Sequence, residues 1–163
     1  MVSSADAVAK WAGVADAIED AIVGLKDDQL DLRGGPDDWS IRETVHHLVE
    51  ANLVASTIVL AALGAPGSTY DWSWLNPDRS WMKRTGYITA PVGPALETLR
   101  SLCVHVAGLL RLLEDPLTRE VQLLDAPGAA LRSKTDEQVL QDAVDHVVGH
   151  LRDLRATRTQ HSV

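Results

Sequence analysis

The sequence predicts an all-α fold, a four-helix bundle with two long connections. Four segments repeat apolar residues with the 3.6-residue period of an amphipathic helix, and no segment shows a convincing alternation of apolar and polar residues. Two of the four segments open with a capping box, a sequence signal for the start of a helix. At 163 residues the chain is long enough for one well-buried core, so we expect a single domain over residues 1–163.

The first two helices are defined by an apolar stripe and by an explicit start signal. Helix one is predicted over residues 4–25, whose apolar positions share one face. Helix two begins after Ser40, whose side chain is expected to pair with Glu43 in a capping box. It runs to about Leu63, because Gly64 and a nearby proline disfavour its continuation.

The last two helices are marked by a first-turn proline and by a second capping box. Helix three is predicted from near Pro94, since proline is favoured in the first turn, to about Asp115. Thr135 and Gln138 form the capping box that opens helix four, which is predicted to reach about Arg155.

The two connections, Gly64–Gly93 and Leu117–Lys134, are longer than an up-and-down bundle needs. The first contains three of the five tryptophans and both tyrosines, so we expect it to be ordered. Four of its aromatic residues are candidates for the wall or lid of a substrate pocket: Tyr70, Trp72, Trp74 and Trp81. The alternative is that these rings pack the long loop onto the bundle.

Composition and charge exclude several classes of protein. A formal net charge of −8 disfavours a nucleic-acid surface, which needs clustered lysine and arginine. The single cysteine, Cys103, excludes an internal disulfide and a cysteine-based zinc cluster. Residues 1–10 lack a signal-peptide pattern, and we expect no apolar stretch to approach a membrane span. We therefore expect a soluble, cytoplasmic protein with no membrane partner.

Three histidines in two predicted helices can meet on one metal ion. His146 and His150 lie one turn apart on one helical face. His47 falls among the apolar positions of helix two, whereas His46 falls beside Glu50 and is expected to meet solvent or to pair with it. Three imidazoles leave coordination positions open, as in catalytic metal sites. Chance occurrence of this spacing is the alternative.

Other chemistry is weakly represented in the sequence. Asp142 lies one turn before His146 and is a candidate to accept the imidazole proton that a metal does not displace. The chain has no glycine-rich phosphate loop and no nucleophile elbow. Cys103 lies within an apolar helix and is expected to be a buried structural thiol. No catalytic side chain beyond the metal ligands is assigned.

Two segments carry a family resemblance. Residues 38–48, Asp-Trp-Ser-Ile-Arg-Glu-Thr-Val-His-His-Leu, and residues 145–152, Asp-His-Val-Val-Gly-His-Leu-Arg, resemble the DinB/YfiT-like metalloenzyme superfamily. In that family a Trp-Ser pair opens the second helix of a four-helix bundle, and the histidine eight places after the tryptophan is the first metal ligand, which selects His47. The His-x-x-x-His of the last helix supplies the other two ligands, which match His146 and His150.

The resemblance implies a divalent metal ion, commonly zinc or nickel, in an open three-histidine site, and often a homodimer. Several relatives transfer low-molecular-weight thiols such as bacillithiol, mycothiol or glutathione to a small-molecule substrate. A metal-dependent thiol S-transferase is therefore our leading hypothesis. The alternatives are a metal-dependent hydrolase and a non-catalytic helical module for binding or stress response.

Overall fold

The computed structural model describes residues 4–163, which form a mostly helical fold with one small sheet. The helices are α1 (Ser4–Ala12), α2 (Val14–Ile22), α3 (Ile41–Gly64), α4 (Arg79–Arg84), α5 (Val92–Leu112) and α6 (Asp136–His161). The strands are β1 (Thr69–Asp71), β2 (Glu120–Leu124) and β3 (Arg132–Thr135), and short 3₁₀ turns occur at Asp27–Asp31 and Pro116–Thr118. The four predicted long helices correspond to α1 with α2, to α3, to α5 and to α6.

Helix one is interrupted at Gly13, which the prediction of one continuous helix missed. Gly13 has φ of −91° and ψ of 1°, outside the helical range. Its N–H still donates to the carbonyl of Ala9 at 3.2 Å, and its carbonyl accepts from the N–H of Ala17 at 3.0 Å. Gly24, at φ of 81°, follows the end of α2 in a left-handed conformation that favours glycine, so the helix stops short of Leu25.

Both predicted capping boxes are present. The Ser40 hydroxyl accepts from the Glu43 N–H at 3.1 Å, and the Glu43 carboxylate accepts from the Ser40 N–H at 2.7 Å. Thr135 and Gln138 make the equivalent exchange at the start of α6. These bonds satisfy N–H groups that the first turn of a helix leaves without partners. They fix where the two histidine-bearing helices begin, although α6 ends six residues later than predicted.

The core lies where α3 packs against α5 and α6, with α1 and α2 packed against the same two helices. Trp11, Leu48, Leu99 and Leu140 are completely buried in it. The indole N–H of Trp11 donates to Asn52 at 3.1 Å, which satisfies both polar groups inside the apolar core. Burial of these large side chains holds α3 and α6 side by side.

The three-stranded sheet corrects the all-α prediction to a mostly α-helical fold. Its order is β1-β2-β3, with β1 parallel to β2 and β2 antiparallel to β3. Because β1 comes from the first long connection and the other strands from the second, the sheet ties the two connections together. Each strand has only three to five residues, too few for an alternating pattern to be recognised in the sequence.

Within the described residues, α3 is long and apolar enough to cross a membrane, which corrects the expectation that no stretch approaches a span. Its most apolar 18-residue window has a mean hydropathy of 1.5. However, 56% of that window is buried inside the bundle. The core helix of a globular bundle has the same length and composition, so these properties are explained by the packing of α3.

Asp136 is a buried carboxylate outside the histidine cluster. It is 0% exposed at the start of α6, and neither carboxylate oxygen has a hydrogen-bond partner in the described structure. Burial raises the pKa of Asp136 to about 7, because the charged form loses its hydration. The positive charge of the nearby Arg119 opposes this rise in the pKa. However, the Arg119 guanidinium donates to the carbonyl of Leu63 at 2.7 Å, and no hydrogen bond joins it to the Asp136 carboxylate in the described structure.

The free energy of unfolding of Asp136→Asn, relative to that of wild type, is expected to increase as the pH rises. Between pH 5 and 7 the unfolded chain has lost the Asp136 proton while the folded protein retains it, so wild-type stability falls as the pH rises through this window. Asparagine cannot ionise, so the free-energy difference between variant and wild type should grow by about 2 kcal/mol from pH 5 to pH 8. Urea unfolding of metal-stripped protein at both pH values measures it, with the exposed Asp28→Asn as control. A pH-independent difference would contradict the prediction.

Candidate metal centre

The structure brings His47 of α3 together with His146 and His150 of α6. The Nε2 atom of His146 lies 3.1 Å from that of His47 and 3.0 Å from that of His150. One ring nitrogen from each residue lies within 4.8 Å of the others. The two α6 histidines share a face because they are four residues apart, and the packing of α3 on α6 supplies the third.

His46 does not join this cluster, in agreement with the angular argument, but its predicted solvent exposure is wrong. Its ring stacks on Tyr87 with centroids 4.8 Å apart and planes at 6°, and Nε2 lies 3.1 Å from the carbonyl of Ala90. The expected partner, Glu50, instead accepts from the indole of Trp81 and the hydroxyl of Tyr87. The segment around α4 covers this face of α3, so His46 is only 6% exposed.

The nitrogen geometry fits a shared cation. The Nε2 atom of His146 carries either one lone pair or one hydrogen, so one ordinary hydrogen bond cannot satisfy both of its close nitrogen neighbours. Three lone pairs directed at one ion remove this conflict. Ligand nitrogens about 2.1 Å from a zinc-sized ion lie roughly 3.0–3.4 Å from one another, depending on the coordination geometry. The observed 3.0 and 3.1 Å separations match this range.

The surroundings keep the three imidazoles neutral. Burial, followed by repulsion from the other two rings, lowers the pKa of His47 to about 3. Burial and His150 lower the pKa of His146 to about 4, and burial lowers the pKa of His150 as well. Only a neutral imidazole can bind a metal, so the nitrogen lone pairs are available at neutral pH without displacement of a proton.

Trp39 packs against two of the three histidines. Its ring stacks on His150 with centroids 5.8 Å apart and planes at 15°, and it lies 4.6 Å from the His47 ring at 58°. The Nδ1 atom of His47 is buried and has no hydrogen-bond partner in the described part of the chain. Trp39 therefore contacts the His47 ring in place of a hydrogen bond at Nδ1, while Nε2 lies 3.1 Å from that of His146. The sequence signal was the position of Trp39 directly before the capping residue Ser40.

Asp142, the candidate acceptor for an imidazole proton of His146, pairs with a lysine in this structure. Its carboxylate forms an ion pair with the ammonium of Lys134, and within residues 4–163 no hydrogen bond joins it to an imidazole. The reason is β3, an unpredicted strand that places Lys134 beside the first turns of α6. The Asp142 side chain is 61% exposed, so it lies at the rim of the site.

A cavity of about 290 Å³ opens on the metal centre, with His47 and His146 in its wall. Most of its lining is apolar and comes from α3, α6, β2 and the segment after β1: Ala51, Val54, Ala55, Ile58, Trp72, Leu75, Pro77, Leu123, Val139 and Ala143. Three charged side chains, Arg132, Lys134 and Asp142, and the amide of Asn52 complete the lining. The two cations were missed because their strand lies in a connection predicted to be loop.

Of the four aromatic pocket candidates, Trp72 lines this cavity. Tyr70 instead contacts Thr57 through its hydroxyl at 2.5 Å, and Trp81 is held by Glu50. Trp74 is 56% exposed and lies against Trp81, with centroids 6.0 Å apart. Packing of the long connection onto the bundle, the alternative considered for these rings, describes Tyr70 and Trp81.

Comparisons with known proteins agree with the fold and the histidine cluster. The family model of the DinB superfamily matches residues 10–154. A Geobacillus thermodenitrificans (strain NG80-2) protein named "Putative metal-dependent hydrolase" is 31% identical over 97 residues, which cover 58% of this chain and 52% of that protein. The chain thus spans about half the length of this curated relative.

Among solved structures, YfiT from Bacillus subtilis has the same fold. It is described as "a probable metal-dependent hydrolase with an unusual four-helix bundle topology". The match has a TM-score of 0.84 at 20% sequence identity and covers 98% of this chain and 87% of YfiT. With the family model matched over most of its length, the chain belongs to the DinB superfamily.

Proposed function

We propose that this protein is a metal-dependent thiol S-transferase, with a divalent ion, zinc or nickel, held by His47, His146 and His150. The observation that carries the proposal is the convergence of three neutral imidazole nitrogens beside a largely apolar cavity, with two of the three histidines in its wall. Such a donor set leaves coordination positions open toward a small molecule. The family and the histidine cluster together fit a metal-dependent enzyme.

The chemistry follows from what the cavity offers. A divalent cation in this position favours the thiolate form of a thiol, whose free pKa is about 8.5. The neutral histidines have lone pairs available for the ion, and the apolar wall formed by α3 and α6 offers a packing surface to the second substrate. In the transfer, the thiol proton is lost to solvent and the sulfur forms a bond to an electrophilic carbon. A haloarene then releases halide with its electron pair, whereas an epoxide C–O bond breaks and its oxygen takes up a proton from solvent.

The cavity lining offers little general-base assistance to an attacking nucleophile. Attack by water commonly needs a general base near the reacting atoms. Among the described residues, Asp142 is the one carboxylate in the cavity lining, and it is paired with Lys134. A thiolate attacks without such a base, and so does a hydroxide formed from metal-bound water, so both reactions are compatible with this lining.

Hydrolysis is the second candidate, because the names of two similar proteins refer to metal-dependent hydrolases. In that case the open metal positions would lower the pKa of water rather than of a thiol. An assay without any thiol separates the two reactions.

Metal-loaded protein should consume at least one of bacillithiol, mycothiol, glutathione or cysteine when an electrophilic haloarene or epoxide is supplied. Protein stripped with a chelator should be at least about 100-fold slower, since metal assistance contributes several kcal/mol to catalysis. The measurement is loss of free thiol together with mass detection of the adduct. His105→Ala, which removes an exposed histidine outside the cluster, should retain full activity.

A parallel panel of esters and amides without thiol tests the second candidate. Metal-dependent turnover there, with no thiol adduct, would reassign the protein as a hydrolase. If neither panel shows turnover, although elemental analysis finds one metal ion per chain, the result would count against both enzymatic functions and favour the non-catalytic helical module.

A further inference from the structure

Two cationic side chains line the same cavity as the metal ligands. Arg132 and Lys134 are two residues apart on β3, so their side chains point to the same face of the strand. Both lie in the lining that contains His47 and His146. The chain carries a formal net charge of −8, yet the cavity lining holds two cations against one carboxylate, Asp142, so the lining has a local excess of positive charge.

The two cations differ in how firmly their present partners are held. Arg132 pairs with Asp125, whose carboxylate also accepts from the indole of Trp72 at 2.7 Å and is 26% exposed. With these two contacts, the Asp125 carboxylate is held in place beside the cavity wall. Arg132 itself is half-exposed.

Lys134 is the better placed of the two to exchange its partner. Its side chain is only 18% exposed, whereas its partner Asp142 is 61% exposed and has no other hydrogen bond among residues 4–163. An ion pair with an exposed carboxylate contributes little to stability. Asp142 can turn to solvent at small cost, while the Lys134 ammonium remains in the cavity wall.

We infer that the cavity binds a substrate with an apolar body and a carboxylate, and that Lys134 recognises the carboxylate in place of Asp142. The apolar body lies along the wall formed by α3 and α6, between Lys134 and the histidines. A charge-assisted hydrogen bond in this low-dielectric cavity discriminates strongly between an acid and its neutral isostere. The orientation of the reactive end toward the metal rests on the proposed function, whereas the recognition of a carboxylate does not.

The test compares two isosteric probes, 4-phenylbutanoate and 4-phenylbutanamide, by calorimetric titration of metal-loaded protein without turnover. Wild type should bind the carboxylate about tenfold more tightly than the amide, as expected for one charge-assisted hydrogen bond. Lys134→Gln should reduce this preference to within about twofold, and Lys134→Arg should restore most of it.

Asp142→Asn is expected to change the affinity for 4-phenylbutanoate in the opposite direction from Lys134→Gln. Removal of the competing carboxylate should strengthen binding of 4-phenylbutanoate several-fold and leave 4-phenylbutanamide unchanged. Glu97→Gln, which changes the net charge equally at an exposed position of α5 outside the cavity lining, should leave both affinities at wild-type values. A gain with Asp142→Asn alone therefore supports a local role of Lys134.

Two results would overturn the inference. The preference for the carboxylate could survive Lys134→Gln in a variant that remains folded by circular dichroism. Alternatively, it could disappear when the ion is removed by chelation or by His146→Ala, which would place the carboxylate on the metal. The titration measures binding and no reaction. A negative result for thiol transfer would therefore not affect the test of carboxylate recognition by Lys134, and each proposal can be rejected independently.

Discussion

His47→Ala is expected to lower the affinity for zinc or nickel by at least about 100-fold, whereas His46→Ala should stay near the wild-type affinity. Loss of a group that merely orients a ligand costs 10–100-fold in metal affinity, so loss of a ligand should cost more. The two neighbours differ because only His47 has its Nε2 atom beside that of His146, at 3.1 Å. His46 is stacked on Tyr87, with its Nε2 3.1 Å from the carbonyl of Ala90.

Competition with a chromophoric chelator at pH 7.5 measures both affinities, and thermal unfolding of metal-stripped protein serves as the control. His46 is buried, so His46→Ala should lower the melting temperature although metal binding is retained. That combination separates a structural histidine from a metal ligand. Equal loss of affinity in both variants would show that the cluster of His47, His146 and His150 is not the binding site.

The parts of the fold that were predictable are those fixed by neighbouring residues. The exchange between Ser40 and Glu43 involves residues three apart, and so does the capping box of α6. These local signals located the starts of both histidine-bearing helices, and the 100° rotation per residue then separated His47 from His46. Spacing and helical angle suggested that His47 meets His146 on one ion, and the family resemblance supported this convergence across the 99 residues that separate them.

The parts that were missed depend on contacts between distant segments. The pairing of β1 with β2 joins residues about fifty positions apart, and nothing in either short segment indicates its partner. The same cause explains Lys134, which was assigned to a loop and so was not considered as part of the cavity. His46 was placed in solvent because the fold of the segment from Trp81 to Ala90 over α3 could not be foreseen.

Trp39→Ala is expected to lower metal affinity by about 10–100-fold, the range found for groups that orient metal ligands. Metal-binding histidines usually have their second ring nitrogen fixed by a hydrogen bond. The Nδ1 atom of His47 has no such partner in the described structure, and the indole ring of Trp39 lies 4.6 Å from the imidazole instead. The same indole stacks on His150, so one side chain limits the rotation of two ligands. Without it, more conformational entropy is lost when the ion binds.

Trp39→Phe should recover most of the affinity, because a smaller aromatic ring still packs against both imidazoles. Trp74→Ala removes an indole that is 56% exposed and outside the cavity lining, and it should leave metal affinity unchanged. Chelator competition on the three variants, each verified as helical by circular dichroism, gives the comparison. If Trp39→Ala bound metal as tightly as wild type, the His47 ring would have to be held by the helix packing of α3 on α6 alone. The Trp39 indole would then line the site without affecting its metal affinity.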